Sequence, residues 1–281
     1  MIYAALDLGQ KTIQAVLKDR NGKLIKEAKI EKKQENVLEF LKNTNASIVM
    51  ESGYNHQFLY DLLRKDHTVK VAHPFMVKAI AYAKVKTDKV DARMLADLLR
   101  SDMIPECCIP DERIRQLRDL RRRRHYFVQM RTMLKNKVKA ELAKRWIDPK
   151  ANPFTQAGRK WASSLHREAI DDWMDAIEFF DGKIRQADCR IEKIASDDNG
   201  KHLITMPGIS YYAALLISAD IDIGRLADYE HLCSYARLVP GTYQSGSRQY
   251  QRPDSRMLSW ILVQCVHVHV RWCRVIHNKT L

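Results

Sequence analysis

The segment Ile2-Tyr-Ala-Ala-Leu-Asp-Leu-Gly9 decides our prediction of the fold, because an apolar strand pattern there carries a single carboxylate. A carboxylate inside an apolar strand is costly to bury unless it is paired or coordinates a cation. A second apolar run, Ser47-Ile-Val-Met-Glu51, ends on another acid. Asp7 and Glu51 are therefore candidate metal ligands on two separate strands.

Two further acids lie on a predicted helix. Asp88 and Asp91 are three residues apart in Lys86-Thr-Asp-Lys-Val-Asp-Ala-Arg-Met-Leu-Ala96, so they share one helix face. Four carboxylates suit Mg²⁺, and two such ions can clamp the attacking and leaving oxygens of a phosphoryl displacement. Taken singly, each acid has an ordinary explanation as a turn residue, a strand end or a solvated helix charge. Together, in the order strand, strand, helix, they favour a magnesium site.

The elements around these acids predict an α/β RNase H-like domain over residues 1–105. Strand patterns cover residues 3–8, 12–18 and 24–30, with a hairpin turn at Asn21-Gly22. Helical and strand patterns then alternate as far as the helix that carries Asp88. This order brings an acid on the first strand beside one on the fourth strand and one on a late helix.

Residues 106–199 are predicted to form a basic helical stalk of the coiled-coil kind. An apolar stripe at helical spacing runs through this segment beside the arginine run Arg121–Arg124. The run is either a solvated face or a nucleic-acid surface opposite a partner helix. The stripe consists of Leu117, Leu120, Phe127, Met130, Leu134, Val138 and Leu142.

Residues 200–281 are predicted to form a mainly α C-terminal domain. Met206-Pro-Gly-Ile209 lies between apolar helical segments, where it is either a phosphate-binding turn or an ordinary helix connection. Ser245 precedes Gly246 in a polar loop rich in arginine. A nucleophilic hydroxyl would meet a phosphate held by guanidinium groups there, although Ser-Gly is also common in loops.

The composition favours a nucleic-acid partner. Lys and Arg number 48 against 34 for Asp and Glu, which gives a net charge of +14 and favours polyphosphate surfaces. Charge alone does not separate a DNA enzyme from a ribosomal or membrane-surface protein. The sequence contains neither a membrane-spanning apolar run nor a signal-peptide pattern. We therefore expect a cytoplasmic protein with no membrane partner.

Cysteine and histidine patterns do not favour a zinc site or a disulfide framework. The six cysteines form no C-x-x-C pair. His267 and His269 would share one face if Val266–Val270 were a strand, but no third ligand follows at metal spacing.

Several motifs occur in the order seen in one family. They are the Ala-Leu-Asp-Leu-Gly strand, Glu51-Ser-Gly-Tyr54, Lys86-Thr-Asp-Lys-Val-Asp-Ala92, Met206-Pro-Gly-Ile209, and Leu238-Val-Pro240 followed by Gln244-Ser-Gly246. In this order, and over nearly the whole chain, the sequence resembles the DEDD transposases of insertion sequences. These recombinases have a RuvC-like N-terminal domain and a C-terminal serine transposase domain.

The resemblance implies an activity and a set of partners. It implies metal-dependent DNA cleavage and transfer, with Mg²⁺ on Asp7, Glu51, Asp88 and Asp91. It further implies that Ser245 attacks DNA to form a phosphoserine intermediate, and that a structured guide RNA selects the DNA. Because a long stalk separates Ser245 from the acids, we expect them to meet between protomers of a homo-oligomer, a dimer or tetramer.

Two alternatives stay open at the level of sequence. The chain departs from the family pattern at Arg237 and in the segment after Ser245. One alternative is a catalytically silent or truncated nucleic-acid-binding remnant. The other is a Holliday-junction-resolvase-like nuclease in which Ser245 is idle.

Overall fold

The structure is a computed structural model of the chain. It describes residues 1–53, 55–80, 87–149, 151–197, 200–239, 242–245, 248–251 and 256–272, with the backbone alone described for 197, 242–245, 248–251 and 256. These residues divide into two compact units, Met1–Ile109 and Pro110–Leu281. Tyr54, Lys86, Pro240, Gly246 and Arg252 lie outside the described residues, so the motif positions they occupy are known from sequence alone.

The first unit is built on a mixed five-stranded sheet. Its strands are β1 (Ile2–Leu8), β2 (Thr12–Lys18), β3 (Leu24–Glu31), β4 (Ala46–Glu51) and β5 (Thr68–Ala72), in the order β3-β2-β1-β4-β5. The first three strands are antiparallel, and β4 and β5 run parallel to β1. Gly22 has a φ of 83° in the turn between β2 and β3, a conformation that glycine adopts easily. The sheet is compatible with the predicted α/β RNase H-like domain.

Each face of this sheet has its own core. Alternate residues of a strand point to opposite faces. Ala4, Leu6 and Met50 are buried with α1 (Gln34–Leu41) and α2 (His56–Leu63). The intervening residues, including Ala5 and Val49, are buried under α4 (Asp88–Arg100). Pro74 opens α3 (Pro74–Ile80), where the missing N–H costs nothing.

Two long antiparallel helices dominate the second unit. They are α5 (Glu112–Ala143) and α7 (Glu168–Asp197), with α6 (Gln156–Ser163) between them. At 32 residues, α5 is about 48 Å long. Asp111 begins α5 by accepting a 2.7 Å hydrogen bond from Ile114 N. One apolar cluster joins the start of α5 to the end of α7, and another joins their opposite ends: Leu117, Leu120, Ala187 and Ile191, then Leu134, Val138, Leu142, Ile170, Met174 and Ile177.

Short helices and a hairpin complete the described part of this unit. They are α8 (Gly200–Ile204), α9 (Tyr211–Asp220), a 3₁₀ turn (Ile223–Arg225), α10 (Tyr229–Tyr235), β6 (Thr242–Ser245), β7 (Arg248–Gln251) and α11 (Arg256–Trp272). The strand considered for His267 and His269 is wrong, because both residues lie in α11. Successive alternate positions on a helix are about 200° apart, so the two rings share no face. Within the described residues, no helix combines the length and apolar character needed to span a bilayer.

Candidate active site

Asp7 and Glu51 lie on the same face of the sheet, on neighbouring parallel strands. The register pairs Leu6 of β1 with Met50 of β4, so the two acids follow in step. Each is two residues beyond a buried residue, Ala5 or Val49, that packs under α4. Because strand side chains alternate, both carboxylates belong to the α4 face. Both residues are half-buried.

The N-terminal turn of α4 carries Asp88 and Asp91. Thr87 begins this helix, its hydroxyl accepting a 3.3 Å hydrogen bond from Val90 N. The buried face of α4 holds the helix against the sheet: Ala92, Leu95, Ala96, Leu98 and Leu99. Helix and strands therefore form one body, Met1–Ile109, that contains all four acids.

A row of paired residues connects Asp88 to Asp7. Asp7 of β1 pairs with Gln14 of β2, and Gln14 pairs with Lys29 of β3. The ammonium of Lys29 lies 4.0 Å from Asp88 Oδ2. Asp88 therefore lies near β3, two strands away from Asp7 on β1, and neighbouring strands are about 4.8 Å apart. Lys29 and Asp88 are both largely exposed, so this ion pair is a weak restraint.

The side chains of the four acids do not close around a single point in this structure. Among the described residues, no three His, Cys, Asp or Glu side chains are grouped as they would be to hold a metal ion. What the fold brings together is the backbone positions, on one face of one unit. The donor set itself consists of carboxylate oxygens, which suit hard divalent cations.

Gln14 is a candidate site residue that the sequence reasoning missed. It lies directly opposite Asp7 and is only 3% exposed. Its Nε2 atom has no hydrogen-bond partner among the described residues. A buried unpaired donor is costly, and the same side chain contributes to the lowered pKa of Glu27 on β3. The Gln14 amide therefore lies between an acid on each neighbouring strand, Asp7 and Glu27. The signal in the sequence was a polar residue at an inward position of an otherwise apolar strand.

An ion pair fixes the outer edge of the same face. Arg93 of α4 donates to both carboxylate oxygens of Glu27 on β3, at 2.9 and 2.6 Å. The hydrogen bonds from Arg93 hold the pKa of Glu27 below its ordinary value, against the opposing effect of desolvation. One turn further along α4, Asp97 accepts a 2.6 Å hydrogen bond from Lys18 of β2. Both pairs hold α4 in place across β2 and β3.

The turns after β1 and β4 are tied to each other. Asn55 donates a 3.2 Å hydrogen bond to the carbonyl of Gly9. A Cβ atom on residue 9 would lie 2.7 Å from the Thr12 carbonyl oxygen, so this tight turn requires glycine. The buried ring of His56 accepts a 3.1 Å hydrogen bond from Gly53 N. These contacts order the two turns that follow Asp7 and Glu51.

Ser245 lies in the second unit, at the end of a strand and not in the loop that was expected. It is the last residue of β6 and pairs with Arg248, the first residue of β7. The two strands form a hairpin, and residues 246 and 247 between them are outside the described part. Position 245 is thus fixed by backbone pairing in the described residues, with an arginine directly across the hairpin.

The Pro-Gly turn packs against a helix. Gly208 has a φ of 96°, and a Cβ atom there would lie 2.5 Å from the carbonyl oxygen of Cys265 in α11. The neighbouring carbonyl of Pro207 lies 2.8 Å from Nδ1 of His269. Ser210 then begins α9 by accepting a 3.2 Å hydrogen bond from Ala213 N. These contacts favour the helix-connection interpretation of this motif and explain its glycine.

The arginine run divides into internal and surface residues. Arg121 is 6% exposed and binds Asp220 of α9 at 2.6 Å. Arg124 binds Asp188 of α7 through two hydrogen bonds and lies over the Tyr212 ring at 4.5 Å. Arg122 and Arg123 are exposed. Half of the run therefore holds the helices together, and half faces solvent.

Comparisons with known proteins give the family. A family model for DEDD transposases of the IS110 type, described as a transposase, matches residues 4–146, more than half of the chain. A second model, described as transposase IS116/IS110/IS902 family, matches residues 200–280.

Two relatives also match. The transposase for insertion sequence element IS1533 of Leptospira borgpetersenii is 23% identical over 95% of this chain and 85% of its own length. The putative transposase y4qE of Sinorhizobium fredii is 24% identical over 76% of this chain and 56% of its own length. With four acids on one N-terminal unit and the second match over the C-terminal segment, the chain belongs to the IS110 family of DEDD transposases, enzymes of insertion sequences.

Proposed function

We propose that this transposase cleaves and transfers DNA strands with Mg²⁺ held by Asp7, Glu51, Asp88 and Asp91, and with Ser245 as the nucleophile. The observation that carries the proposal is the shared position of Asp7 and Glu51 on the face covered by α4. Membership of the DEDD family implies dependence on a divalent metal in general. The choice of Mg²⁺ rests on the all-carboxylate donor set.

The four acids would act as ligands of Mg²⁺, and the amide of Gln14 would orient one of them. Asp7 and Glu51 are half-buried on paired strands and provide the fixed part of the site. Asp88 and Asp91, on the first turn of α4, would supply the remaining carboxylates when the metal and phosphate enter. Bound Mg²⁺ would polarise the phosphate and stabilise its developing charge. Gln14 Nε2 would then donate to the Asp7 carboxylate and fix its orientation.

The serine step is a phosphoryl transfer. The Ser245 hydroxyl oxygen forms a bond to phosphorus, and the bond from phosphorus to the departing deoxyribose oxygen breaks. The proton lost by the serine is taken up, directly or through solvent, by that departing oxygen. The product is a phosphoserine ester with a free DNA hydroxyl, and a second displacement releases the serine. A serine hydroxyl is a weak nucleophile that needs such an activated site.

The remaining parts of the proposal concern organisation and partners. We take residues 1–105 as the catalytic domain, 106–199 as a coiled-coil-like stalk and 200–281 as the serine transposase domain. DNA is the substrate that a transposase implies. A structured guide RNA and a homo-oligomer, a dimer or tetramer, are proposed as its further partners.

Trapping of a protein–DNA adduct tests the proposal. The full chain is incubated with donor DNA from its element, its RNA and Mg²⁺, and the adduct is isolated under denaturing conditions. Asp7→Asn and Ser245→Ala should each abolish the adduct, whereas the surface controls Asp66→Asn and Ser163→Ala should retain it. Cleavage without an adduct, unaffected by Ser245→Ala, would instead identify a resolvase-like nuclease. Absence of both in the folded native protein would identify a silent nucleic-acid-binding remnant.

A further inference from the structure

The hairpin of α5 and α7 contains a basic groove that the proposed chemistry does not use. Its volume is about 230 Å³, and it lies between the two helices. One side is formed by α5 and the other by α7. The lining residues are Leu120, Arg123, Phe127, Lys183, Gln186, Ala187 and Arg190.

The lining is cationic, and acids do not neutralise it. Arg123, Lys183 and Arg190 contribute three positive charges, and the lining residues include neither Asp nor Glu. The nearby acid Asp188 is engaged by Arg124, and Asp119 is engaged by Arg122. In the described part of the chain, no ion pair joins Arg123 or Arg190 to a carboxylate. Cations held close together without counter-charges repel each other and favour a bound anion.

An aromatic row accompanies these cations. The rings of Tyr126, Phe127, Phe180 and Phe179 follow one another across the two helices, with centroid separations of 6.3, 6.0 and 5.4 Å. Tyr126 is 55% exposed and Phe179 is 59% exposed. The Lys183 ammonium lies 5.3 Å from the centre of the Phe179 ring. Proteins that bind single-stranded nucleic acids combine exposed aromatic rings with nearby cations. The unpaired bases stack on the rings, and the phosphates bind the cations.

We propose that this groove binds an unpaired nucleic-acid strand, with phosphates on Arg123, Lys183 and Arg190 and bases on the aromatic row. The proposal rests on the proposed action of the protein on nucleic acid. It specifies a single strand, because a duplex keeps its bases stacked inside and offers no free base faces to Phe127 or Phe179. RNA and DNA strands share this chemistry, so the experiment separates them.

The test measures binding of the full chain to labelled single-stranded RNA, single-stranded DNA and duplex DNA of equal length over a range of salt concentrations. Mg²⁺ is omitted, so failure of metal-dependent cleavage does not affect the result. The groove variant combines Arg123→Gln, Lys183→Gln and Arg190→Gln. The control variant combines Lys137→Gln, Lys160→Gln and Arg167→Gln, which remove the same charge from exposed positions outside the groove.

We expect the groove variant to bind at least one type of single strand about tenfold more weakly than the control. The slope of log K against log salt should become shallower by about 2, since each phosphate contact on a single strand contributes about 0.7. Phe179→Ala should weaken the same strand about fivefold or more, because stacking on one ring contributes at least about that factor.

If the groove variant loses affinity for only RNA or only DNA, that result identifies the strand that the groove binds. An equal loss of affinity for both means that the groove recognises their shared phosphates and bases. Equal weakening by groove and control variants would overturn the proposal. Loss confined to duplex DNA would also overturn it. Helix content measured by circular dichroism checks that each variant is folded.

Discussion

Gly208 connects α8 to α9 through a backbone conformation that other residues rarely adopt. Its φ is 96°, and α11 closes over it. We predict that Gly208→Ala destabilises the second unit by more than about 1 kcal/mol, because the substitution adds both backbone strain and a clash with the Cys265 carbonyl. Thermal and denaturant unfolding measure this change.

The control for this prediction is Gly224→Ala. A Cβ atom at residue 224 would make only an ordinary 3.5 Å contact with Asp222 Oδ1. Equal stability of the two variants would mean that the turn at Gly208 is free to relax away from α11.

The ion pair between Glu27 and Arg93 makes the stability of the first unit depend on pH. Its ordinary pKa is 4.5, and the hydrogen bonds from Arg93 lower that pKa in the folded chain. The pair therefore stabilises the unit fully above about pH 4.5, and this contribution disappears as the pH falls through the lower folded pKa. We expect Glu27→Gln to reduce the free energy of unfolding at pH 7 by about 1 kcal/mol or less, since Arg93 is half exposed.

Denaturant unfolding of the two proteins from pH 7 to pH 3 measures the effect. The difference in free energy of unfolding between the unsubstituted protein and Glu27→Gln should narrow below about pH 4.5. Glu39→Gln is the control, because its Lys42 pair is on the surface. A difference for Glu27→Gln that stayed constant with pH would contradict the assigned role of the pair.

At the scale of elements, a nearly buried ion pair joins α5 to α9. The Arg121 side chain is 7% exposed and binds Asp220, whose side chain is 17% exposed, at 2.6 Å. Removal of one partner leaves an uncompensated charge in the interior. We predict that Asp220→Asn destabilises the second unit by about 3 kcal/mol, measured by denaturant unfolding.

A matched pair on the surface of α5 provides the comparison. Asp119→Asn removes the exposed partner of Arg122 and should change stability by about 0.5 kcal/mol or less. Combining Arg121→Met with Asp220→Leu should recover most of the loss, since only the more exposed Arg118 then loses its acid, and Arg118 still donates to the Ala219 carbonyl. If Asp220→Asn were as mild as Asp119→Asn, solvent would have to reach Arg121.

For the whole molecule, the proposed division of chemistry between two units predicts complementation. Asp7→Asn removes an acid and Ser245→Ala removes the nucleophile, so each protein should form no DNA adduct alone. A mixture of the two should regain adduct if the acids of one protomer act with the serine of another. Adduct trapping on cognate DNA with guide RNA measures the recovery, and size-exclusion chromatography confirms co-assembly. No recovery from a co-assembled mixture would rule out a shared site.

Several features could be predicted from local sequence because they depend on short-range patterns. The alternation in residues 2–8 and 12–18, the Asn21-Gly22 turn and the stripe from Leu117 to Leu142 each predicted an element that the structure contains. The strand considered for His267 was wrong because an alternation of only five residues is too short to distinguish a strand from a helix. The helix α11 is instead stabilised by Leu258 and Ile261, which pack in the apolar core of the second unit. A loop was expected at Ser245, but the structure has a strand there. Ser245 is held by pairing with Arg248 on the neighbouring strand, and the residue pattern around Ser245 does not show this contact.

The sequence by itself determined most of the element types, the basic character and the four candidate acids, because these follow from residue identity and period. Only the tertiary structure decided which side chains face each other. It aligned Asp7 with Glu51 through the β1–β4 register and with Gln14 through the β1–β2 register. It also separated Arg121 and Arg124, which hold helices together, from Arg122 and Arg123, which face solvent. The physical reason is that burial and pairing depend on residues distant in the chain, which no local pattern specifies.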